Sequence, residues 1–135
     1  MNMQGRSEGD RAVTRLQKEM NSIVESNIRM PQKILKMNIA FEKAATPFRR
    51  GGDGRIMTGM KNAAGTAVTQ MVRTEISQVP TLPGEDVHDR EARLKSILNE
   101  ITAIPWLAPE FKSTINMEIT FAMAKLRYTE GQPGH

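Results

Sequence analysis

The sequence predicts an all-α fold, with an N-terminal basic helix-turn-helix arm followed by a three-helix, bundle-like body. Three observations carry that expectation. Strand signals are missing: there is no sustained period-two alternation and no Asn-Gly or Asp-Gly turn between β-branched runs. Apolar residues recur at helical spacing over five segments, about 10–28, 31–46, 56–78, 86–104 and 109–128. Gly and Pro gather between those segments, at 46–54, 79–84 and 105–109.

The first helix is expected to begin at Asp10, a good N-cap residue. At ~100° per residue, Arg15, Lys18 and Ser22 fall within about 40° of Arg11, while Val13, Leu16, Met20, Ile23 and Val24 gather on the opposite side. One face is cationic and the other apolar. The second helix opens on Pro31, which costs nothing in a first turn. Lys33, Lys36, Ala40 and Lys43 share one stripe of it. Ile34, Leu35, Met37, Ile39, Phe41, Ala44 and Ala45 cover most of the remaining circumference. Such a helix is expected to be buried nearly all round, with one open edge for the lysines and a thin place at Ala40 for close approach of a polyanion.

The run from Thr46 to Gly54 is expected to end that helix. Arg49, Arg50 and Arg55 then flank Gly51-Gly52-Asp53-Gly54, whose backbone N–H groups suit an anion. The plain alternative is a solvated linker. In the third helix Met57, Met60, Ala64, Ala67, Val68, Met71, Val72 and Ile76 follow a three-four repeat, and the small residues of its first half suit tight core packing. The fourth sets Val87, Leu94, Ile97, Leu98, Ile101 and Ile104 inward. Outward it places Asp86 before Arg90, Asp89 before Arg93 and Glu91 before Lys95, each acid-first at i, i+4. The fifth is entered through Trp106 and Leu107, with Pro109 in its first turn. Phe111, Ile115, Ile119, Ala122 and Leu126 form its stripe, and Met117, Phe121, Met123 and Tyr128 widen it beyond what neighbours in so short a chain would cover. Self-association is the expected outcome, and the ten methionines suit an adaptable interface. The tail from Gly131 to His135 offers nothing to pack.

Charge divides the chain more sharply than hydropathy does. Residues 1–55 hold eleven Lys/Arg against six Asp/Glu, whereas residues 56–135 hold eight against nine. The whole of the net +4 therefore lies in a basic arm, residues 1–55, and the assembly body, residues 56–135, is close to neutral. Basic arms of this kind meet nucleic acid. Arg11, Arg15, Lys18, Arg29, Lys33, Lys36, Lys43, Arg49, Arg50 and Arg55 are the candidate contacts, reaching a duplex DNA backbone with little base readout, because few Asn, Gln or Ser side chains accompany them.

No residue pattern suggests catalysis. Cysteine is absent, which removes disulfides and thiolate chemistry. Of two histidines, His135 is terminal and His88 sits between Asp86 and Asp89 at a helix start, where a cap or surface role is expected. A zinc site needs three or four ligands, so no metal is expected and no cofactor. Ser7, Ser113 and Thr114 have no histidine partner, and the glycines near Arg55 lack the Walker order. The polar start is expected to be neither a signal nor a transit peptide, and no apolar run reaches membrane-spanning length. An enzyme is not expected.

Two function classes remain: a structural protein that coats nucleic acid in many copies, and a small phage or plasmid DNA-binding regulator of helix-turn-helix type. Helix two is too apolar around its circumference to present a recognition helix comfortably, which favours the coat. The size, the five-helix plan, the basic helix pair joined through Ile28-Arg29-Met30-Pro31 and the neutral apolar C-terminal part resemble the α-helical major coat proteins of filamentous archaeal double-stranded DNA viruses, the rudivirus, lipothrixvirus and tristromavirus group. That resemblance implies a capsid nucleoprotein of the virion, against a cytoplasmic setting for the regulator. It implies that the N-terminal helices wrap A-form duplex DNA, with the ten cations from Arg11 to Arg55 as contacts. It also implies that the C-terminal helices form an outer wall with a copy of the same chain or a paralogous coat subunit, in some members beneath a lipid envelope.

Overall fold

A computed structural model describes residues 3–50, 54–81 and 84–130. Among the described residues there are five α-helices, α1 (Met3–Glu25), α2 (Met30–Arg49), α3 (Gly54–Gln78), α4 (Val87–Thr102) and α5 (Pro109–Glu130), with a 3₁₀ turn, Val79–Thr81, between α3 and α4. No strand occurs among the described residues, so the all-α expectation holds. The glycines at 51 and 52, Asp53 and the tail from Gly131 to His135 lie outside the described residues.

Two boundaries differ from expectation. The first helix does not start at Asp10 but continues back to Met3. Gly9 is buried inside it, and a Cβ built there would stand 2.5 Å from Cδ1 of Ile56 on α3. Gly9 thus admits a neighbouring helix, and the chain is already helical before Asp10. The second helix does not stop before Pro47 but runs through it to Arg49. Proline removes the bond to the carbonyl of Lys43 and crowds it, at an exposed position within three residues of the helix end.

Packing divides the chain into two units: Met1–Val68 with Trp106–Ala108, and Thr69–Pro105 with Pro109–His135. The charge boundary at Arg55 and this packing boundary are thirteen residues apart in α3 (55 to 68), because the thin first half of that helix packs with α1. In the first unit, α1 and α2 form an antiparallel hairpin closed by residues 26–29. Leu16, Met20, Met37, Phe41, Ala45, Ile56, Met60 and Ala64 are fully buried, at most 2% exposed. Each large one contributes roughly 1.5–3 kcal/mol relative to exposure. Trp106 belongs to this core. Its ring stacks on Phe41 with centroids 4.9 Å apart and planes 16° apart, and its indole N–H donates to Asn38 Oδ1 at 2.8 Å. The Pro-rich link before α5 is therefore part of the α2 environment.

In the second unit, Met71, Val72, Leu94, Ile101, Ile115 and Ile119 form the buried interior. Asp86 caps α4: its Oδ1 accepts the Asp89 N–H at 2.8 Å, and Asp89 Oδ2 accepts the Asp86 N–H at 3.5 Å. Gly84, with φ of 75°, makes the left-handed turn that delivers the chain to this cap. Closer partners stand beside the expected i, i+4 pairs on α4, of which Asp89 with Arg93 and Glu91 with Lys95 still attract through their charges. Arg93 grips Glu85 with a two-point contact, and Arg127 of α5 holds Glu91 at 2.6 Å. The planar guanidinium matches a carboxylate better than a lysine one turn away does.

Candidate nucleic-acid interface

All ten sequence-selected cations are described, and the fold sorts them into distinct roles. Arg11, Arg15 and Lys18 are exposed along α1. The α3 helix meets α1 at Gly9 and Val13, through Ile56 and Gly59. At ~100° per residue those two contact positions lie about 160–200° round the helix from Arg11. The three cations thus face directly away from α3. On α2, Lys36, Lys43 and Arg50 are exposed and lie within about 40° of one another, by the same ~100° step.

A groove of about 330 Å³ joins these rows. Ala12, Leu16, Ala40 and Ala44 form its floor, and Arg15, Glu19 and Lys43 border it. Because Arg15 and Lys43 edge the same open groove, the two rows share one side of the hairpin. Among the described residues none of Arg11, Arg15, Lys18, Lys36, Lys43 and Arg50 takes part in an ion pair. The row on α2 spans ~21 Å at 1.5 Å per residue, and that on α1 ~10 Å. The face is not purely cationic: Glu8, Glu19 and Glu25 are exposed on α1, Glu19 at the groove itself.

Of the remaining four cations, Lys33, Arg49 and Arg55 are engaged within the molecule, whereas the guanidinium of Arg29 makes no ion pair among the described residues. Lys33 is half-buried, and its ammonium donates to the carbonyl of Val24 at 2.6 Å. That carbonyl belongs to the last turn of α1, where no intrahelical donor remains, and a cation there also suits the helix dipole. Arg49 points to the other edge of α2 and makes a two-point contact with Glu42, at 2.7 and 2.8 Å. Its hydrogen bonds hold the Glu42 carboxyl below the usual carboxylate range and raise the arginine in turn. Arg55 ties the start of α3 to Asp10 at 2.9 Å. Arg29 is exposed at the hairpin tip, where its own N–H is accepted by Gln32 Oε1 at 3.4 Å.

Two readings of α2 are corrected. Ala40 is 3% exposed and lines the floor between the helices, so it serves helix–helix approach and not approach by a ligand. Nor is α2 covered all round: Leu35 and Ile39 are 61% and 60% exposed. Phe41 and Met37, on the opposite face, are fully buried. On α5, Met117, Phe121 and Tyr128 are likewise exposed. No described helix is long and apolar enough to cross a membrane. Among the described residues no three His, Asp or Glu side chains converge as metal ligands.

No family model, curated protein or solved structure matches this chain.

Proposed function

We propose that the protein coats nucleic acid as a structural nucleoprotein of a virion, binding the duplex backbone through the outer face of the α1–α2 hairpin and assembling through its neutral C-terminal part into a helical filament. One observation supports this above others: six cations without acidic partners stand on the side of the hairpin that faces away from α3. Charges left unneutralised over ~20 Å of surface meet a polymer bearing one charge per ~1.7 Å of axis, and each contact releases condensed counterions. Contacts of that kind position the protein without reading bases. The exposed apolar residues of α5 supply the second requirement of a coat, a surface for neighbours. A filament of the type formed by the archaeal viral coat proteins is the assembly this arrangement would build.

The test is binding of the full chain to duplexes of increasing length and unrelated sequence across a salt series. Affinity is expected to rise with length, to ignore sequence and to fall with log[salt] at a slope near −5 for six contacts. Electron microscopy of the protein with linear DNA is expected to show regular filaments. A single preferred site at physiological salt would instead establish a regulator, and equal affinity for duplex and single-stranded RNA would move the partner away from DNA.

A further inference from the structure

We propose that α5 carries a docking face for a second copy of this chain, paired antiparallel about a two-fold axis. This deepens the assembly half of the function above and is independent of the nucleic-acid half. Met117, Phe121 and Tyr128 are 56%, 66% and 70% exposed. At ~100° per residue they fall within about 40° of one another, so they form a single strip. Exposed Ala124 lies in the same strip and keeps it thin there.

Charge tells what covers the strip. On its two flanks, Glu118 is held by Arg73 at 2.7 Å and Arg127 by Glu91 at 2.6 Å, so these two charges are neutralised within the molecule. Two charges are left over, Glu110 beyond the start of the strip and Lys125 on the Glu118 flank near its other end. Glu110 stands in the first turn of α5 and Lys125 near the last, both exposed, and neither takes part in an ion pair among the described residues. A parallel pairing would set Glu110 against the partner's Glu110 and Lys125 against the partner's Lys125. An antiparallel pairing sets unlike charges together at both ends. With Met117 over the partner's Phe121, the centre holds two sulfur–aromatic contacts, and Glu110 comes within one helical turn of the partner's Lys125. The surface is thus complementary to itself, as a two-fold interface requires.

One helix face is smaller than the roughly 1,200 Å² of a stable interface. The free pair therefore dissociates readily and closes when copies are held side by side on a polymer, where effective concentrations approach ~mM.

Sedimentation equilibrium of the full chain without nucleic acid, from roughly 10 µM to 1 mM, tests the face. The wild type is expected to show a reversible monomer–dimer equilibrium. Phe121→Gln, Glu110→Lys and Lys125→Glu, all at exposed positions, are each expected to lower the association constant by about tenfold or more, with circular dichroism showing the helices retained. An equimolar mixture of Glu110→Lys and Lys125→Glu chains is expected to regain association, since each end then pairs unlike charges again. A wild type monomeric throughout, dimers indifferent to these substitutions, or a mixture that stays monomeric overturns the inference. Wild-type duplex binding without dimerisation sinks this proposal alone, whereas dimerisation without duplex binding sinks the nucleic-acid reading alone.

Discussion

Gly9 and Gly59 show how the same residue type acts oppositely at two helical positions. Both lie inside helices, where glycine costs about 1 kcal/mol relative to alanine. A Cβ at Gly9 would meet Ile56 at 2.5 and 2.8 Å, whereas one at Gly59 would meet only Val13 methyls at 3.3 and 3.6 Å. Overpacking costs typically ~1–3 kcal/mol, which exceeds the propensity gain in the first case and not in the second. Gly9→Ala is expected to destabilise by about 1 kcal/mol and Gly59→Ala to stabilise by about 0.5 kcal/mol, read from urea midpoints. Two stabilising substitutions would show that α3 does not press on α1 at Gly9. Trp106 is the other decisive residue. Trp106→Phe keeps a ring against Phe41 but strands the amide of Asn38, so a loss of about 1–2 kcal/mol is expected. Trp106→Ala loses the stack and leaves a cavity, for ~3–5 kcal/mol. Equal losses for the two would mean that the ring itself contributes nothing.

Among the elements, the two helical hairpins share one device. The fourth residue of α2, Lys33, donates to the carbonyl of Val24 at the end of α1, and the fourth residue of α5, Lys112, donates to that of Thr102 at the end of α4, at 3.1 Å. In both cases a lysine from the following helix satisfies a carbonyl that the preceding helix leaves open. Lys33 is consequently expected to separate from its neighbours in function. Lys33→Gln should cost about 0.5–1 kcal/mol of stability and change the salt slope of duplex binding little. The Lys36→Gln, Lys43→Gln pair should leave stability within ~0.5 kcal/mol and reduce that slope by about 2 units. A salt slope equally sensitive to Lys33 and to the pair would mean that the bond to Val24 does not hold Lys33 away from the backbone.

For the whole molecule, acid–base behaviour depends on two opposing sets of carboxylates. Hydrogen bonds from Arg49, Arg93 and Arg127 lower Glu42, Glu85 and Glu91 below the ordinary range. Their contribution is present above the unfolded value and is lost as pH falls through the folded one. Glu100 behaves in reverse: burial, aided by the charge of Glu75, raises it. Stability from its neutral form is complete below the unfolded value and declines as pH climbs through that value to the raised folded one. Glu100→Gln is expected to raise the melting temperature at pH 7 and to leave it nearly unchanged near pH 4, as followed by calorimetry. A variant that melts lower at neutral pH would show that the Glu100 carboxylate is stabilising after all.

The five helices and the cationic face of α1 could be read from the sequence because both are written in local spacing. Leu16, Met20 and Ile23 are buried and Arg11, Arg15 and Lys18 exposed, as their angles round the helix require. The helices run past Pro47 and begin before Asp10, because proline and aspartate act on local backbone alone and neither reports what packs alongside. The sorting of ten cations was equally hidden. Lys33, Arg49 and Arg55 differ from Lys36, Lys43 and Arg50 only in what lies opposite them, the carbonyl of Val24, Glu42 and Asp10.

Sequence alone thus determined helical content, the amphipathic faces and the concentration of positive charge in the first 55 residues, because periodicity and composition are properties of short stretches. Tertiary structure decided which cations remain available, where α3 approaches α1, and that Trp106 belongs beside Phe41 and Asn38. Those outcomes depend on partners distant along the chain, and a hydrogen bond across 68 residues leaves no trace in local spacing.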